Sequence, residues 1–175
     1  MRALVVYESM FGNTQALAKA IGEGIQASVP TEVVEVGVAP ATVPRDVTLL
    51  VVGGPTHAFG MSWPSTRHAA AGQAPTLVSR ERGIREWLGA LPGSVTAADA
   101  ATFDTRATPR PPGSAARAAA RRLDRLGYRI VMAAASFEVV DSTGPLVEGE
   151  LERAGEWGRS LGAESAARQI SRAVT

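Results

Sequence analysis

The stretch that decides the fold is Glu8-Ser9-Met10-Phe11-Gly12-Asn13-Thr14, because it joins a short apolar run to an amphipathic segment. The run before it, residues 3–7, has the length and composition of one strand. The segment after it, residues 14–27, repeats aliphatic side chains every four positions, at Leu17, Ile21 and Ile25. This spacing predicts a helix with one apolar face. The chain therefore opens with a strand, a loop and a helix.

The residues of this first loop suit the binding of a phosphate group. The first N–H groups of a helix lack intrahelical partners and carry partial positive charge, so they bind anions. Ser9 and Thr14 add hydroxyl donors, Asn13 adds an amide, and the absence of a side chain at Gly12 lets the backbone approach a ligand. The same residue types also form ordinary turns and helix caps. The loop matches neither a Walker loop nor a Gly-x-Gly-x-x-Gly fingerprint.

Strand and helix patterns alternate through the rest of the chain, which predicts βαβ units and a mostly parallel sheet. The run at 47–52 is almost continuously apolar, as expected for a strand covered on both faces. Further strands are predicted at 31–36, 98–104 and 129–135, and helices at 83–91, 115–126 and 148–162. The predicted fold is α/β, with a three-layer, doubly wound, five-stranded parallel sheet.

A second loop follows the third predicted strand and reads Gly53-Gly54-Pro55-Thr56-His57-Ala58-Phe59-Gly60. In open α/β sheets, ligands bind outside the carboxyl ends of the strands, at the point where the strand order reverses. Both loops follow strands at that edge. We therefore expect them to meet and to form two sides of one binding site.

These two loops resemble those of the flavodoxin family. Residues 4–21, with Gly12-Asn13-Thr14 opening a helix, resemble the family's phosphate loop, and Gly53-Gly54-Pro55-Thr56-His57 resembles its second flavin-contacting loop. Residues 102–106 occupy the place of the family's third loop, although they lack the tyrosine that often stacks on the flavin there. The resemblance implies strand order 2-1-3-4-5 and a bound flavin mononucleotide (FMN).

The resemblance also implies a role for each loop. The first loop would hold the FMN phosphate, the second would line one side of the isoalloxazine ring, and the third would approach the pyrimidine edge or the other side of the ring. No catalytic residue and no metal ligand is assigned. The implied cofactor-binding residues are Ser9, Met10, Phe11, Gly12, Asn13, Thr14, Pro55, Thr56, His57, Ala58, Phe59, Gly60, Phe103, Asp104, Thr105 and Arg106.

Length and composition limit the remaining possibilities. We expect 175 residues to form a single domain, 1–175, with an insertion or lid at about 60–82 and a proline-rich break at 108–114. The absence of cysteine excludes disulfides and thiolate sites, and a net charge of +1 argues against a nucleic-acid binder. The sequence shows neither a signal peptide nor an apolar run long enough for a membrane span. We expect a cytoplasmic protein, monomeric or homodimeric.

The sequence favours an FMN-binding redox protein that transfers electrons to a partner protein or a small-molecule acceptor. One alternative is an FMN-dependent, quinone-type reductase that uses NAD(P)H, and another is a flavin-free binding or regulatory module. His57 is either a proton donor or a local hydrogen-bonding residue. Phe59 and Trp63 either contact the ring or pack locally, whereas the helical spacing around Trp87 predicts a core position. The arginines of 117–125 form either a solvated surface or a docking site for an acidic partner.

Overall fold

The computed structural model describes residues 1–73, 76–108 and 112–173. Its helices are α1 Asn13–Gln26, α2 Pro64–Ala71, α3 Ile84–Ala90, α4 Ala115–Arg125 and α5 Glu150–Ala173. Its strands are β1 Arg2–Tyr7, β2 Thr31–Glu35, β3 Val47–Pro55, β4 Asp99–Ala107, β5 Arg129–Ile130 and β6 Ala135–Val139. None of the described helices is both long enough and apolar enough to cross a membrane.

All strand pairs of the sheet are parallel, and the strand order β2-β1-β3-β4-β5 confirms the predicted fold. The edge strand differs from the single strand predicted at 129–135. Both β5 and β6 pair with β4, with Ile130 opposite Ala100 and Ala135 opposite Phe103. Between these two pairs the edge strand advances by five residues, from 130 to 135, whereas β4 advances by only three, from 100 to 103. The two extra residues form a bulge that divides the strand.

Helices cover both faces of the sheet because successive side chains of each strand point to opposite faces. One core lies between the sheet and α1 and α5, and includes Val5, Ile21, Val51 and Leu161. The other core lies between the sheet and α3 and α4, and includes Leu4, Leu50, Trp87 and Leu123. Trp87 is fully buried, which confirms its predicted core position. Its indole N–H donates to the carbonyl oxygen of Pro40 at 2.9 Å.

The last helix is longer than predicted, and one helix was not predicted. The last helix ends at Ala173 rather than at 162. The stretch 61–82, which has no apolar periodicity, contains α2, whose buried residues are only Arg67 and Ala70. An arginine and an alanine produce no apolar stripe, so the pattern did not reveal this helix. Of the predicted proline-rich break at 108–114, residues 109–111 lie outside the described residues.

Helices α1 and α5 pack closely because glycines lie where their backbones meet. A Cβ at Gly158 of α5 would overlap the carbonyl oxygen of Ile21 on α1. A Cβ at Gly155, one turn earlier on the same helix, would come no closer than 3.7 Å to the carbonyl oxygen of Ala20. The two glycines therefore differ in the space available to a side chain.

We expect Gly158→Ala to lower the free energy of unfolding by about 1–3 kcal/mol, because the added methyl group must push the helices apart. Gly155→Ala is the matched control. It should raise the free energy of unfolding by up to about 1 kcal/mol, because alanine favours the helix more than glycine does. Urea titration followed by circular dichroism measures both values. Equal effects of the two substitutions would contradict the described interface.

Candidate functional site

A cavity of about 320 Å³ opens at the carboxyl edge of the sheet, next to β1 and β3. The two loops that the sequence singled out form two of its walls, α2 forms a third, and the ends of β4 and β6 complete it. The lining residues are Ser9, Met10, Phe11, Asn13, Thr14, Pro55, Thr56, His57, Ala58, Thr66, Ala69, Ala70, Gln73, Thr105, Ala107, Val139 and Ser142. The structure therefore brings the two loops together at one cavity.

The start of α1 offers hydrogen-bond donors to this cavity. The helix begins after Gly12, which has a left-handed backbone (φ 92°) and, as a glycine, provides no side-chain cap for the first amides of α1. Ser9 Oγ accepts the Gly12 amide at 3.1 Å, which leaves the hydroxyl proton of Ser9 free to donate. A Cβ built on Gly12 has no neighbour within 4 Å, so the backbone there is open to a ligand. Gly12 itself is not part of the cavity wall.

Thr14 and Asn13 connect the first loop to other elements. Thr14 Oγ1 and Thr105 Oγ1 share a buried hydrogen bond of 2.9 Å, so one of the two hydroxyls keeps a proton for a ligand. Asn13 lines the cavity, but its Nδ2 donates to the carbonyl oxygen of Thr143 at 3.0 Å. Asn13 therefore holds the segment after β6 against the start of α1.

The second loop is fixed through Thr56. Its Oγ1 donates to Asp104 Oδ2 at 2.9 Å and accepts the amide of Ala115, the first residue of α4, also at 2.9 Å. Beyond it, His57 and Gly60 exchange backbone hydrogen bonds across a tight turn. Phe59 lies at the tip of this turn, 75% exposed and with φ 77°. Pro55, Thr56, His57 and Ala58 line the cavity, whereas Phe59 and Gly60 do not.

The residues predicted from the third loop lie mostly outside the cavity. Strand β4 continues to Ala107 instead of ending at 104, so these positions belong to the sheet and not to a loop. Phe103 is buried against Phe137 and Trp157 in the core. Asp104 is buried on the opposite face of the sheet, and neither it nor Arg106 lines the cavity. Of this predicted group, only Thr105 reaches the cavity wall.

Asp104 instead stabilises the junction between the second loop and α4. Its Oδ2 accepts hydrogen bonds from Ser114 Oγ at 2.6 Å and from the Ala116 amide at 3.0 Å, besides the bond from Thr56. A carboxylate at the start of a helix also interacts favourably with the helix dipole. Asp104 therefore acts on the cavity through Thr56, as a positioning residue.

The sequence predicted an insertion or lid at about 60–82, but neither helix α2 nor the individual residues that line the cavity from it. Thr66, Ala69, Ala70 and Gln73 come from α2 and the residues after it, and Ser142 Oγ donates to Gln73 Oε1 at 3.3 Å. Small and polar side chains of this kind carry no recognisable motif. Helix α2 and Gln73, which lie within the stretch 60–82, therefore form one wall of the cavity.

A buried polar cluster attaches this wall to the first loop. Glu8, which precedes Ser9, is completely buried and accepts hydrogen bonds from Ser62 Oγ and from the Ile84 amide. Arg67 of α2 donates to Ser62 Oγ at 2.9 Å, and its Nη1 lies 4.0 Å from Glu8 Oε1 and 3.1 Å from Glu86 Oε2. The cluster therefore joins β1, α2 and α3 behind the cavity.

The protonation of two groups near the cavity is shifted by burial. Burial raises the pKa of Glu8, while the hydrogen bonds from Ser62 and Ile84 and the charge of Arg67 oppose that rise. Burial lowers the pKa of His57, and the charge of Arg67 lowers it further. His57 therefore faces the cavity as a neutral imidazole at neutral pH, which has one donor and one acceptor nitrogen.

The raised pKa of Glu8 predicts a specific pH dependence of stability. The folded protein binds a proton at Glu8 more tightly than the unfolded chain does, so the contribution of Glu8 falls as pH rises from about 4.5 through the folded pKa. Measured against Glu8→Gln, the wild-type free energy of unfolding should therefore improve on acidification through this window. Urea titrations of both proteins at several pH values test this prediction. The prediction would be contradicted if the wild-type free energy of unfolding, relative to that of Glu8→Gln, stayed constant or decreased on acidification.

Three comparisons place the chain among known proteins. No protein-family model matches it, and no curated protein matches it in sequence. Among solved structures, a flavodoxin from the domain Archaea is similar with a TM-score of 0.66 and 20% identity, covering 94% of this chain and 99% of that one. Flavodoxin 1 from Bacillus cereus is similar with a TM-score of 0.65 and 17% identity, covering 94% and 98%.

Part of a larger protein is similar as well. The flavodiiron protein from Giardia intestinalis matches with a TM-score of 0.62 and 19% identity over 95% of this chain, but over only 36% of its own length. At these identities the similarity concerns the fold. Together with the observed strand order, it shows that the chain has the flavodoxin-like fold.

Proposed function

We propose that the protein binds FMN non-covalently in this cavity and transfers electrons through it. The observation that carries the proposal is the start of α1, where the N-cap residue Gly12 has no side chain to accept a hydrogen bond from the first amides and where Asn13 and Thr14 line a cavity formed by the two loops. Similarity to solved proteins described as flavodoxins supports it. When bound, the flavin supplies the redox chemistry, because its ring accepts and releases electrons.

The distribution of polar groups suits the shape of FMN. Hydroxyl donors from Ser9 and Thr14 and the amides of α1 lie at one end, where a phosphate would bind. No lysine or arginine lines the described cavity wall, so the helix terminus would supply the positive potential. Apolar groups form much of the remaining wall, and the volume of about 320 Å³ is within the usual range for small-ligand sites. These apolar side chains are Met10, Phe11, Pro55, Ala58, Ala69, Ala70, Ala107 and Val139.

The residues of the chain then have distinct roles. Ser9 and Thr14 would donate to phosphate oxygens, and the backbone of Pro55–Ala58 would orient the ring. Helix α2 would limit the access of water to one side of the ring. His57, as a neutral imidazole, would offer one hydrogen bond to a ring heteroatom.

Binding of FMN and of riboflavin, which lacks the phosphate, tests this assignment directly. The wild-type protein should bind FMN more tightly than riboflavin, as followed by quenching of flavin fluorescence. Ser9→Ala and Thr14→Val should each weaken FMN binding by about 10- to 100-fold, since each removes a hydrogen bond to a charged group. Riboflavin affinity should be nearly unchanged in both variants.

Ser94→Ala is the matched control, because Ser94 lines a groove elsewhere on the protein and not the candidate cavity. Its affinity for FMN should equal that of the wild type. Equal affinities of the wild type for FMN and riboflavin would contradict the phosphate assignment. A protein that binds neither flavin would instead support the flavin-free alternative.

The α2 wall favours a second candidate function, an FMN-dependent reductase of small molecules such as quinones. A helix beside the ring could form a substrate pocket, which an electron carrier does not need. In this case NAD(P)H would act as a diffusing substrate.

Anaerobic mixing of the FMN-loaded protein with NAD(P)H separates the two functions. For an electron carrier we expect slow loss of the flavin absorbance with NAD(P)H alone and rapid loss only after a separate reductase is added. Rapid direct bleaching would identify the reductase instead.

A further inference from the structure

The charges of the two helical layers differ, although the whole chain has a net charge of only +1. Helices α3 and α4 together carry five arginines and two carboxylates. Helices α1 and α5, on the other face of the sheet, carry five basic and five acidic residues. Positive charge is therefore concentrated on the α3/α4 side.

Three arginines form an exposed stripe along α4, because Arg117, Arg121 and Arg125 are four residues apart. Within the described residues, none of the three has an ion pair with a carboxylate. Like charges at this spacing destabilise a helix, and Arg117 lies in the first turn, where the helix dipole disfavours a cation. The stability of α4 therefore does not explain the stripe.

Two exposed aromatic side chains follow the cavity-lining residues Pro55–Ala58 in the chain. Phe59 is 75% exposed and Trp63 is 51% exposed. Phe59 also has a positive φ of 77°, which is strained for a bulky residue, and such strain clusters at functional sites. The guanidinium of Arg85 stacks 3.7 Å from the centre of the Trp63 ring. Exposed aromatic rings combined with arginine are typical of the energetic centres of protein interfaces.

A β-bridge and hydrogen bonds from arginine side chains to backbone carbonyl oxygens connect the segments that carry these residues. Phe59 forms a β-bridge with Gly113, which directly precedes the cap residue Ser114 of α4. Arg85 belongs to the first turn of α3 and donates to the carbonyl oxygens of Met61 and Ser62. Helices α3 and α4 are adjacent, as the hydrogen bond from the Arg122 side chain of α4 to the carbonyl oxygen of Leu88 on α3 shows. We define the basic aromatic surface as Phe59, Trp63, Arg85, Arg117 and Arg121.

We propose that the basic aromatic surface is the docking site of an acidic one-electron redox protein. The inference rests on the proposed function, because the surface adjoins Pro55–Ala58, the cavity wall assigned to the flavin ring. With FMN bound and reduced, the oxidised metal centre of the partner would accept one electron from it, with no bond formed or broken between the proteins. The arginines attract the acidic partner, and Phe59 and Trp63 supply apolar contact at the centre of the interface.

Charge and geometry favour a protein over a small phosphate ligand at this surface. The start of α4 already binds the Asp104 carboxylate and the Ser114 hydroxyl, so it is not free for a phosphate. The arginine stripe extends away from the cavity for just over two helical turns, about 12 Å. That span suits a protein face better than a single anionic group.

Electron transfer to two soluble haem proteins of opposite charge tests the proposal. The FMN-loaded protein is reduced photochemically and mixed in a stopped-flow instrument with cytochrome b5, which is acidic, or cytochrome c, which is basic. At low ionic strength the rate constant with cytochrome b5 should fall about tenfold in the double variant Arg117→Glu/Arg121→Glu, because electrostatic attraction is reversed. The rate constant with cytochrome c should rise in the same variant. Added salt should slow the wild-type reaction with cytochrome b5.

The matched control is Arg159→Glu/Arg172→Glu, which makes the same charge change on exposed positions of α5. It should leave the rate constant with cytochrome b5 within about twofold of the wild type, since these charges lie on the other face of the sheet. Phe59→Ala should slow the reaction without changing FMN affinity, because Phe59 does not line the cavity.

The experiment distinguishes failure of the docking proposal from failure of the proposed FMN binding. Equal losses in the two double variants, or a wild-type preference for cytochrome c, would overturn the docking surface while FMN binding stands. A protein that does not load FMN would overturn the proposed function and this inference together. That result would appear in the absorbance spectrum before any acceptor is added.

Discussion

The position of β1 between β2 and β3 is the constraint on which the site depends. The chain leaves β1 towards α1 on one face of the sheet and leaves β3 towards α2 and α3 on the other. The two connections diverge and open a crevice at the carboxyl ends of the strands. The start of α1 lies at this crevice, where Asn13 and Thr14 line the cavity, so its first amides would supply the proposed anion site without any charged side chain.

Two buried carboxylates hold the walls of this crevice in place. Glu8 connects the first loop with α2 and α3, and Asp104 connects the second loop with α4. Each carboxylate accepts several hydrogen bonds, which a buried charge requires in order to be tolerated. The cavity is therefore shaped by side chains that do not line it, and its geometry depends on contacts between residues far apart in the chain.

The strand order followed from the resemblance to the flavodoxin family, and the sequence itself was sufficient to predict the parallel sheet, both main loops and the burial of Trp87, because each depends on a local pattern or on a rule of α/β topology. It was not sufficient for the third loop. Residues 102–106 were assigned to a loop at the end of the fourth strand, yet β4 continues to Ala107 and places Phe103 and Asp104 in the interior. Helix α2 was missed because its buried face contains Arg67, whose partners Glu8 and Glu86 are visible only in three dimensions. The bulge between β5 and β6 depends on pairing with β4, which local sequence does not encode.

The central claim is that the start of α1 holds the FMN phosphate, and phosphorus-31 NMR of the FMN-loaded protein tests it most directly. A free phosphate monoester gains its second charge near a pKa of about 6, and its resonance moves with pH accordingly. A phosphate bound by the amides of α1 is held as the dianion. We therefore expect the phosphorus resonance of bound FMN to be shifted from that of free FMN and to stay unchanged between pH 5 and 8. A bound flavin whose phosphorus resonance matches free FMN and titrates near pH 6 would contradict it.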